Sequence, residues 1–211
     1  MKNKITLTSV SPNLEIYSDV AVIGSSAILL DKEYGDKIDG YGTVIRFNRA
    51  PVINFEKFVG SKTDMRVCNA HVFCNVSLDN DAIFKTANIT QPKNFIKDQK
   101  NSNIIHIGTD GDEDGWAERD AHTHPTSKTF IMNYDSIPIT QLSKQPTIGI
   151  KTIKLMIQNN VVPHLYGFGV GEGGVTHYWE ERDSRSVCHD YNDERNKLKE
   201  WEKEEKIKIF R

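Results

Sequence analysis

The sequence predicts an α/β fold with a mostly parallel central sheet flanked by helices. Short apolar stretches with strand character recur along the chain, and helical patterns follow them in its second half. Glycine follows one of these stretches at Gly24 and ends another at Gly108, as expected where a buried strand meets a loop. Alternation of strands and helices is typical of parallel sheets, whose ligands lie in the crevice beyond the carboxyl ends of the strands.

The strands are predicted from apolar runs. The clearest is residues 20–23, which is wholly apolar and is stopped by Gly24. Residues 76–128 carry the weakest pattern and are predicted to be a variable region. The predicted strands, in chain order, are 20–23, 44–47, 65–68, 104–108, 129–132, 161–162, 165–168 and 207–210.

Two helices are predicted in the second half of the chain. The first opens at Pro146–Thr147 and runs to Asn160, with apolar residues at i, i+3, i+6 and i+7. The second is a charged stretch over residues 191–205 with one apolar face, and Asp190 or Asn192 is its expected N-cap.

The composition indicates a single globular domain over residues 1–211. The chain is 37% hydrophobic with a formal net charge of −2, so it has no general attraction for nucleic acid or an anionic membrane. No run of about 18 apolar residues is present, and the polar N-terminus lacks the apolar core of a signal peptide. Three cysteines, Cys68, Cys74 and Cys188, are too few for a disulfide framework and poorly spaced for zinc. We therefore expect a reduced, cytoplasmic protein.

Polar segments at the ends of the first two strands could contact a ligand. Residues 24–26, Gly-Ser-Ser, offer backbone N–H groups and small hydroxyls to a phosphate, or else form a turn that needs these residues for its geometry. They lack the glycine spacing of a dinucleotide-binding loop. Asn48 lies between Arg46 and Arg49, and its amide suits a base or ribose edge. The alternative is a surface loop with solvated arginines.

An acidic loop follows the strand at 104–108. From Asp110 it has the aspartate spacing of a calcium loop, but Ala121 stands where the bidentate glutamate is required. It also matches the Asp-x-Asp signature of metal-dependent glycosyltransferases, or it is a solvated loop. His122 and His124 could bind a metal together with this loop, but exposed histidines in a loop are the better interpretation. We predict no bound metal.

Two histidines, His177 and His189, lie among aromatic and acidic residues after a glycine-rich turn at 167–174. Histidine titrates near neutral pH, so it suits proton transfer or, when charged, phosphate binding. The alternative is that both are structural. Glu194 is five residues beyond His189 and is expected to fix the local turn rather than to orient the ring.

Taken jointly and in order, these stretches resemble the eukaryotic-type sialyltransferase family. The segments VAVIGSSAILL, YGTVIRFNRAP and FEKFVGSKTD resemble its large motif, and PTIG and YGFG resemble the start and end of its small motif. THYWEE and HDYNDE resemble its third and very-small motifs. The resemblance covers residues 20–68, 146–170 and 176–194.

The resemblance implies a Rossmann-like glycosyltransferase fold of the A-type variant, a donor activated by cytidine monophosphate (CMP), and no metal. It implies that His189 is the catalytic base and that His177 and Ser26 bind the donor phosphate. Glu194 and Arg49 receive secondary, structural roles. The residues implied to line the nucleotide site are Gly24, Ser25, Asn48, Thr147, Gly149, Gly167, Phe168 and Gly169.

The chain also departs from the family pattern. Ser25 replaces an asparagine, and Ile148 removes a hydroxyl from the small motif. The family's linking cysteines fall on Val20 and Asn160, so that disulfide cannot form, and we expect no Golgi-type membrane anchor. These departures are expected of a compact cytoplasmic relative from a microbe or a virus.

The expected activity is inverting transfer of sialic acid, an acidic 2-keto sugar, from CMP to a glycan or glycolipid hydroxyl. A transferase of 3-deoxy-octulosonate, which uses an equivalent donor, is the close alternative. A nucleotide- or carbohydrate-binding module without turnover is the alternative from another class. The acceptor site is expected within residues 76–128 and the turn at 170–176.

Overall fold

The structure is a computed structural model that describes residues 2–48, 50–68, 103–108, 129–133, 136–169, 177–179 and 189–211. Among these residues, eight strands form one central sheet. From edge to edge it consists of β10 (Lys208–Phe210), β9 (His164–Tyr166), β4 (Val20–Ile23), β5 (Thr43–Phe47), β6 (Met65–Cys68), β7 (Asn103–Gly108), β8 (Thr129–Asn133) and β2 (Val10–Ser11).

Neighbouring strands of this sheet run parallel except at one edge, where β2 pairs antiparallel with β8. At its centre, Val22 of β4 lies beside Ile45 of β5 and Leu165 of β9. The mostly parallel sheet predicted from the sequence is therefore confirmed. Residues 161–162 are an exception, because they lie outside any strand.

The N-terminal segment forms strands that the sequence analysis did not predict. β1 (Lys4–Leu7) and β3 (Leu14–Tyr17) make an antiparallel pair, and β2 lies between them in the chain. Leu7, Leu14 and Ile16 are buried, while their neighbours are polar and more exposed. This alternation belongs to a sheet with one covered face, and over four residues or fewer it is harder to recognise than a wholly apolar run such as β4.

Helices cover both faces of the sheet. The two predicted helices are confirmed as α3 (Ile148–Gln158) and α4 (Tyr191–Lys203), and their N-caps are Thr147 and Asp190. No helix in the described part of the chain is long and apolar enough to cross a membrane. The helices are a 3-10 helix (Ala27–Asp31), α1 (Gly35–Asp39), α2 (Glu56–Val59), α3 (Ile148–Gln158) and α4 (Tyr191–Lys203).

The wholly buried strand β4 serves two core layers. Val22 faces α3 and α4 in one hydrophobic cluster, which includes Ile153 and Trp201. Ile23 belongs to the opposite cluster, which includes Leu29 of the 3-10 helix and residues of α1 and α2. Successive strand residues point to opposite faces, so a strand covered on both sides must be apolar throughout.

Arg46 in β5 is fully buried and holds the loop between α2 and β6. Its Nη2 donates to the carbonyl oxygens of Val59 at 2.7 Å, Gly60 at 3.0 Å and Lys62 at 2.8 Å. Its Nε donates to Thr63 Oγ1 at 2.9 Å. Hydrogen bonds from a charged donor offset the cost of burying the guanidinium. These contacts give Arg46 a structural role, where the sequence suggested a solvated side chain or a ligand contact.

The same loop is filled by the carboxylate of Asp39. The backbone N–H groups of Ser61 and Lys62 donate to it at 2.8 and 2.9 Å, and Ser61 Oγ donates at 2.6 Å. Burial acts to raise the pKa of Asp39, but the donated hydrogen bonds outweigh it, so the pKa is lowered. These N–H groups are therefore committed to an internal anion.

Three polar side chains, those of Tyr41, His164 and Tyr166, are joined by hydrogen bonds. Tyr41 Oη is 2.6 Å from His164 Nδ1 and 2.9 Å from Tyr166 Oη. Burial, followed by the charges of Lys208 and Lys37, lowers the pKa of His164. A neutral His164 can accept the hydrogen of the Tyr41 hydroxyl. A protonated ring can only donate, so the direction of these hydrogen bonds would have to reverse.

We expect protonation of His164 to make the fold less stable in mild acid. His164 has a lower pKa in the folded state than in the unfolded state, where it is about 6.5. Its contribution to stability is therefore complete above that pH and is lost as the pH falls through the folded-state pKa. Thermal unfolding between about pH 7.5 and pH 5.5 measures the effect, with His164→Gln as the comparison. The same pH dependence in both proteins would contradict this role of His164.

Candidate functional site

Three polar or glycine-containing loops meet at one edge of the sheet. Gly24 follows β4, Asn48 follows β5 and Gly167 follows β9, and these strands are adjacent and parallel. Their carboxyl ends therefore lie side by side, as predicted for a ligand site in this fold class.

Gly24 and Gly167 bring two of these loops into direct backbone contact. The Gly24 N–H donates to the Tyr166 carbonyl at 2.7 Å. A Cβ at Gly24 would lie 2.5 Å from the Gly167 carbonyl oxygen, so no side chain fits there. Gly167 has a φ of +71°, and a Cβ there would meet Leu29 at 2.5 Å. The packing alone requires both glycines.

The two residues predicted to bind the donor phosphate are neighbours. Ser26 and His177 form an isolated antiparallel bridge, and the Ser26 N–H donates to the Gly167 carbonyl at 3.3 Å. The His177 ring stacks on Trp179, with centroids 4.4 Å apart and 10° between the planes. Ser26 also caps the 3-10 helix, because its Oγ accepts from the Ile28 N–H at 3.4 Å. The structure thus joins the large-motif and third-motif segments.

Tyr178 anchors the third-motif segment, and the sequence analysis gave it no role. Its N–H donates to the Ser25 carbonyl at 3.0 Å, and its hydroxyl donates to the Pro51 carbonyl. Its ring meets Phe55 edge-on with centroids 5.0 Å apart, and the side chain is 4% exposed. The sequence signal for this role was an aromatic residue between His177 and Trp179.

Phe168 connects the end of β9 to the start of α3. A Cβ on Gly149 would lie 3.3 Å from its Cε1, and its ring is edge-on to Phe47 at 6.3 Å. Phe168 is partly buried against the main core, and Gly169 follows it. Phe168 thus packs within the edge, and the site roles of Phe168, Gly149 and Gly169 stay predictions.

Glu194 in α4 is hydrogen-bonded to the N-cap of α3. Its Oε1 accepts from the Thr147 N–H at 2.6 Å, and its Oε2 accepts from the Thr147 hydroxyl at 2.9 Å. The Thr147 oxygen also accepts from the Ile150 N–H at 3.3 Å. Burial raises the pKa of Glu194, and these donors and the His189 charge oppose it only in part. Glu194 therefore joins two helices 47 residues apart in sequence, rather than fixing the local turn as predicted.

His189 lies just before α4 and contacts the segment that leads into α3. Its Nδ1 is 2.7 Å from the Gln145 carbonyl oxygen, which can only accept. Nδ1 therefore carries the hydrogen, and Nε2 of the neutral ring carries the lone pair. Asp190 caps α4 by accepting from two backbone N–H groups, and Ser143 Oγ donates to it at 3.2 Å. These contacts dock the predicted base on the 143–147 segment.

Several sequence-based site predictions fall outside the described residues. They include Arg49, the acidic loop from Asp110, and both His122 and His124. Within the described ranges, no three histidine, cysteine, aspartate or glutamate side chains are placed to hold a metal ion. Metal independence therefore stays a prediction. Cys68 is buried and unbonded to another cysteine.

These features define a Rossmann-like α/β protein with a candidate ligand site at the carboxyl edge of its sheet. A family model described as glycosyltransferase family 29 (sialyltransferase) matches residues 4–206. The chain belongs to this family, and the sequence-based resemblance is confirmed.

Curated relatives match the chain over different lengths. The mouse CMP-N-acetylneuraminate-beta-galactosamide-alpha-2,3-sialyltransferase 1 is 25% identical over 218 residues, which are 90% of this chain and 58% of that protein. A beta-galactoside alpha-2,6-sialyltransferase 2 from Xenopus tropicalis is 39% identical over 34% of this chain and 14% of its own length. A beta-1,6-galactosyltransferase from Arabidopsis thaliana is 43% identical over 34% of this chain and 19% of its own length. The chain thus spans less than two thirds of each relative.

Solved structures share the fold. A mammalian sialyltransferase superposes with a TM-score of 0.65 at 22% identity, over 90% of this chain and 68% of that one. An alpha-2,3-sialyltransferase from Campylobacter jejuni gives a TM-score of 0.52 at 15% identity, over 91% of this chain and 74% of that one. The predicted glycosyltransferase fold is therefore confirmed.

The Glu194–Thr147 contact gives a prediction that separates its hydrogen bonds from its charge. Glu194→Ala should lower the free energy of unfolding by about 1–3 kcal/mol, because it leaves half-buried donors of Thr147 without an acceptor. Glu194→Gln should lose much less, since an amide can accept from the Thr147 N–H and donate to its oxygen. Urea unfolding measures both, with exposed Asn196→Ala on the same helix as the control. Equal losses in both Glu194 variants would contradict the hydrogen-bonding role.

Proposed function

We propose that the chain is a sialyltransferase that moves an acidic 2-keto sugar from CMP to a hydroxyl of a glycan or glycolipid. The family match over residues 4–206 supports glycosyl transfer. The observation that carries the proposal is the pairing of Ser26 with His177 at the carboxyl edge of the sheet. It puts a hydroxyl-bearing loop beside an imidazole, where one phosphate could accept from both.

The proposed reaction is a single displacement with inversion. His189 Nε2 removes the proton from the acceptor hydroxyl as its oxygen attacks the anomeric carbon. The bond between that carbon and the phosphate oxygen breaks, and CMP leaves with the bonding electrons. His177 and the Ser26 segment stabilise the charge that develops on the departing phosphate. The Nδ1–Gln145 contact supports this assignment, because it leaves Nε2 as the nitrogen with the lone pair.

The alternatives are transfer from another donor and binding without turnover. A 3-deoxy-octulosonate donor carries the same CMP and the same carboxylate beside its anomeric carbon, so it makes the same demands on the site. Transfer of galactose is favoured by one observation, the Arabidopsis relative that is named a galactosyltransferase. A binding module without turnover would keep the nucleotide edge and lose the base. Incubation with each activated sugar, followed by product release and thermal shift, distinguishes these cases.

The two histidines should differ in what they change. His189→Ala should lower turnover by about 10²–10⁴-fold, as expected for lost proton transfer, with little change in CMP affinity. His177→Ala should weaken CMP binding and also slow the reaction, because a phosphate contact serves both the ground state and the transition state. Kinetics with CMP-sialic acid and calorimetry with CMP measure the two effects. Full activity in His189→Ala, or equal loss of CMP binding in both variants, would contradict the roles assigned to the two histidines.

Activity should survive removal of divalent metal. The leaving group bears a single phosphate, whose charge the imidazole of His177 and nearby N–H groups can meet. Turnover is measured in excess EDTA, with added manganese or magnesium as the control. Loss of activity in EDTA that either ion restores would assign a metal to the site and contradict the proposed donor chemistry.

A further inference from the structure

We propose that Arg66 is a positioning residue of the nucleotide site, and that it acts by holding the turn that carries Asn48. The inference rests on the proposed function, because it takes Asn48 as a nucleotide contact. Arg66 lies in β6, directly beside Arg46 of β5, and both side chains are 0% exposed.

The guanidinium of Arg66 holds the turn by its backbone. Its Nη1 donates to the carbonyl oxygens of Asn48 at 3.0 Å and Ala50 at 2.9 Å, with a longer contact of 3.5 Å to Phe47. One charged nitrogen thus gathers three carbonyl groups within four residues. Such charge-assisted bonds are stronger than neutral ones, and burial shields them from competing water.

The turn needs this support because Asn48 has a left-handed backbone. Its φ is +43°, a region that side-chain-bearing residues rarely adopt, although asparagine does so more readily than most. The Asn48 N–H donates to the Val67 carbonyl at 2.9 Å, which ties the turn to β6 on its other side. With both backbone groups of Asn48 held, the point from which its side chain starts is fixed at the carboxyl edge.

The same turn supports the phosphate side of the site. Pro51 follows Ala50, and its carbonyl accepts the hydroxyl of Tyr178. Tyr178 is the direct neighbour of His177, which pairs with Ser26. A shift of the turn would therefore move both the nucleotide contact and the third-motif segment.

Arg46 provides a matched control for this role. It has the same charge, the same burial and the adjacent register position, but it holds residues 59–63. That loop carries none of the predicted site residues. Substitution of either arginine should destabilise the fold, whereas only substitution of Arg66 should disturb the nucleotide site.

The experiment measures CMP affinity of the full chain by calorimetry, at a temperature where circular dichroism shows each variant to be folded. The variants are Arg66→Lys, Arg66→Gln, Arg46→Lys, Arg46→Gln, Asn48→Ala and the double variant Arg66→Lys/Asn48→Ala. We expect the Arg66 variants to weaken CMP binding about tenfold, the size of one lost hydrogen bond, and the Arg46 variants to bind as the parent does. The double variant should lose less than the product of the two single effects, because Arg66 acts partly through Asn48.

Three results with folded variants would overturn the inference while leaving the proposed function intact. They are parent-like CMP affinity in the Arg66 variants, equal losses at both arginines, and independent effects in the double variant. Failure of both Arg66 variants to fold, with folded Arg46 variants, would assign Arg66 a purely structural role and also overturn it. Absence of CMP binding in the parent protein would overturn the proposed function, and the inference with it.

Discussion

The close approach of Gly24 to Gly167 is the constraint on which the rest of the site depends. With 2.5 Å between a Cβ position at Gly24 and the Gly167 carbonyl, the ends of β4 and β9 can meet only as bare backbone. That contact sets Ser26 against the end of β9, where Ser26 also pairs with His177. It also places Phe168 against the first turn of α3. The carboxyl edge is therefore assembled from the sheet outward.

In several loops of the fold, buried or half-buried charged side chains bind backbone groups. Arg46 gathers carbonyl oxygens, and Asp39 gathers N–H groups of the same loop. Glu194 accepts from the N-cap residue of α3. A buried charge is costly unless its hydrogen bonds are satisfied. Loops of irregular backbone supply unpaired donors and acceptors, so each such charge can fix one loop in one conformation.

The parallel sheet and both long helices could be predicted because their signals lie within a few residues of sequence. The apolar run of β4 and the caps Thr147 and Asp190 are local patterns. The order of the site motifs gave the family. Side-chain partners could not be predicted, because they join distant segments: Glu194 was assigned to a local turn, yet it meets Thr147. The sequence suggested a solvated side chain or a ligand contact for Arg46, but Arg46 is fully buried in β5, beside β6. The strands at 4–17 were missed because their few apolar residues alternate with polar ones instead of forming a run.

The contacts that assemble the edge are made mostly by main-chain atoms. The carbonyl groups of Ser25, Pro51 and Gln145 each hold a partner, and as main-chain groups they do so whatever side chain the residue carries. Serine can therefore stand at position 25, where the family pattern has asparagine, without loss of the bond from Tyr178. Main-chain contacts of this kind are compatible with sequence divergence, and the fold is shared at 22% identity with a mammalian structure. Substitutions at these positions can then alter what the site recognises while its architecture is inherited unchanged.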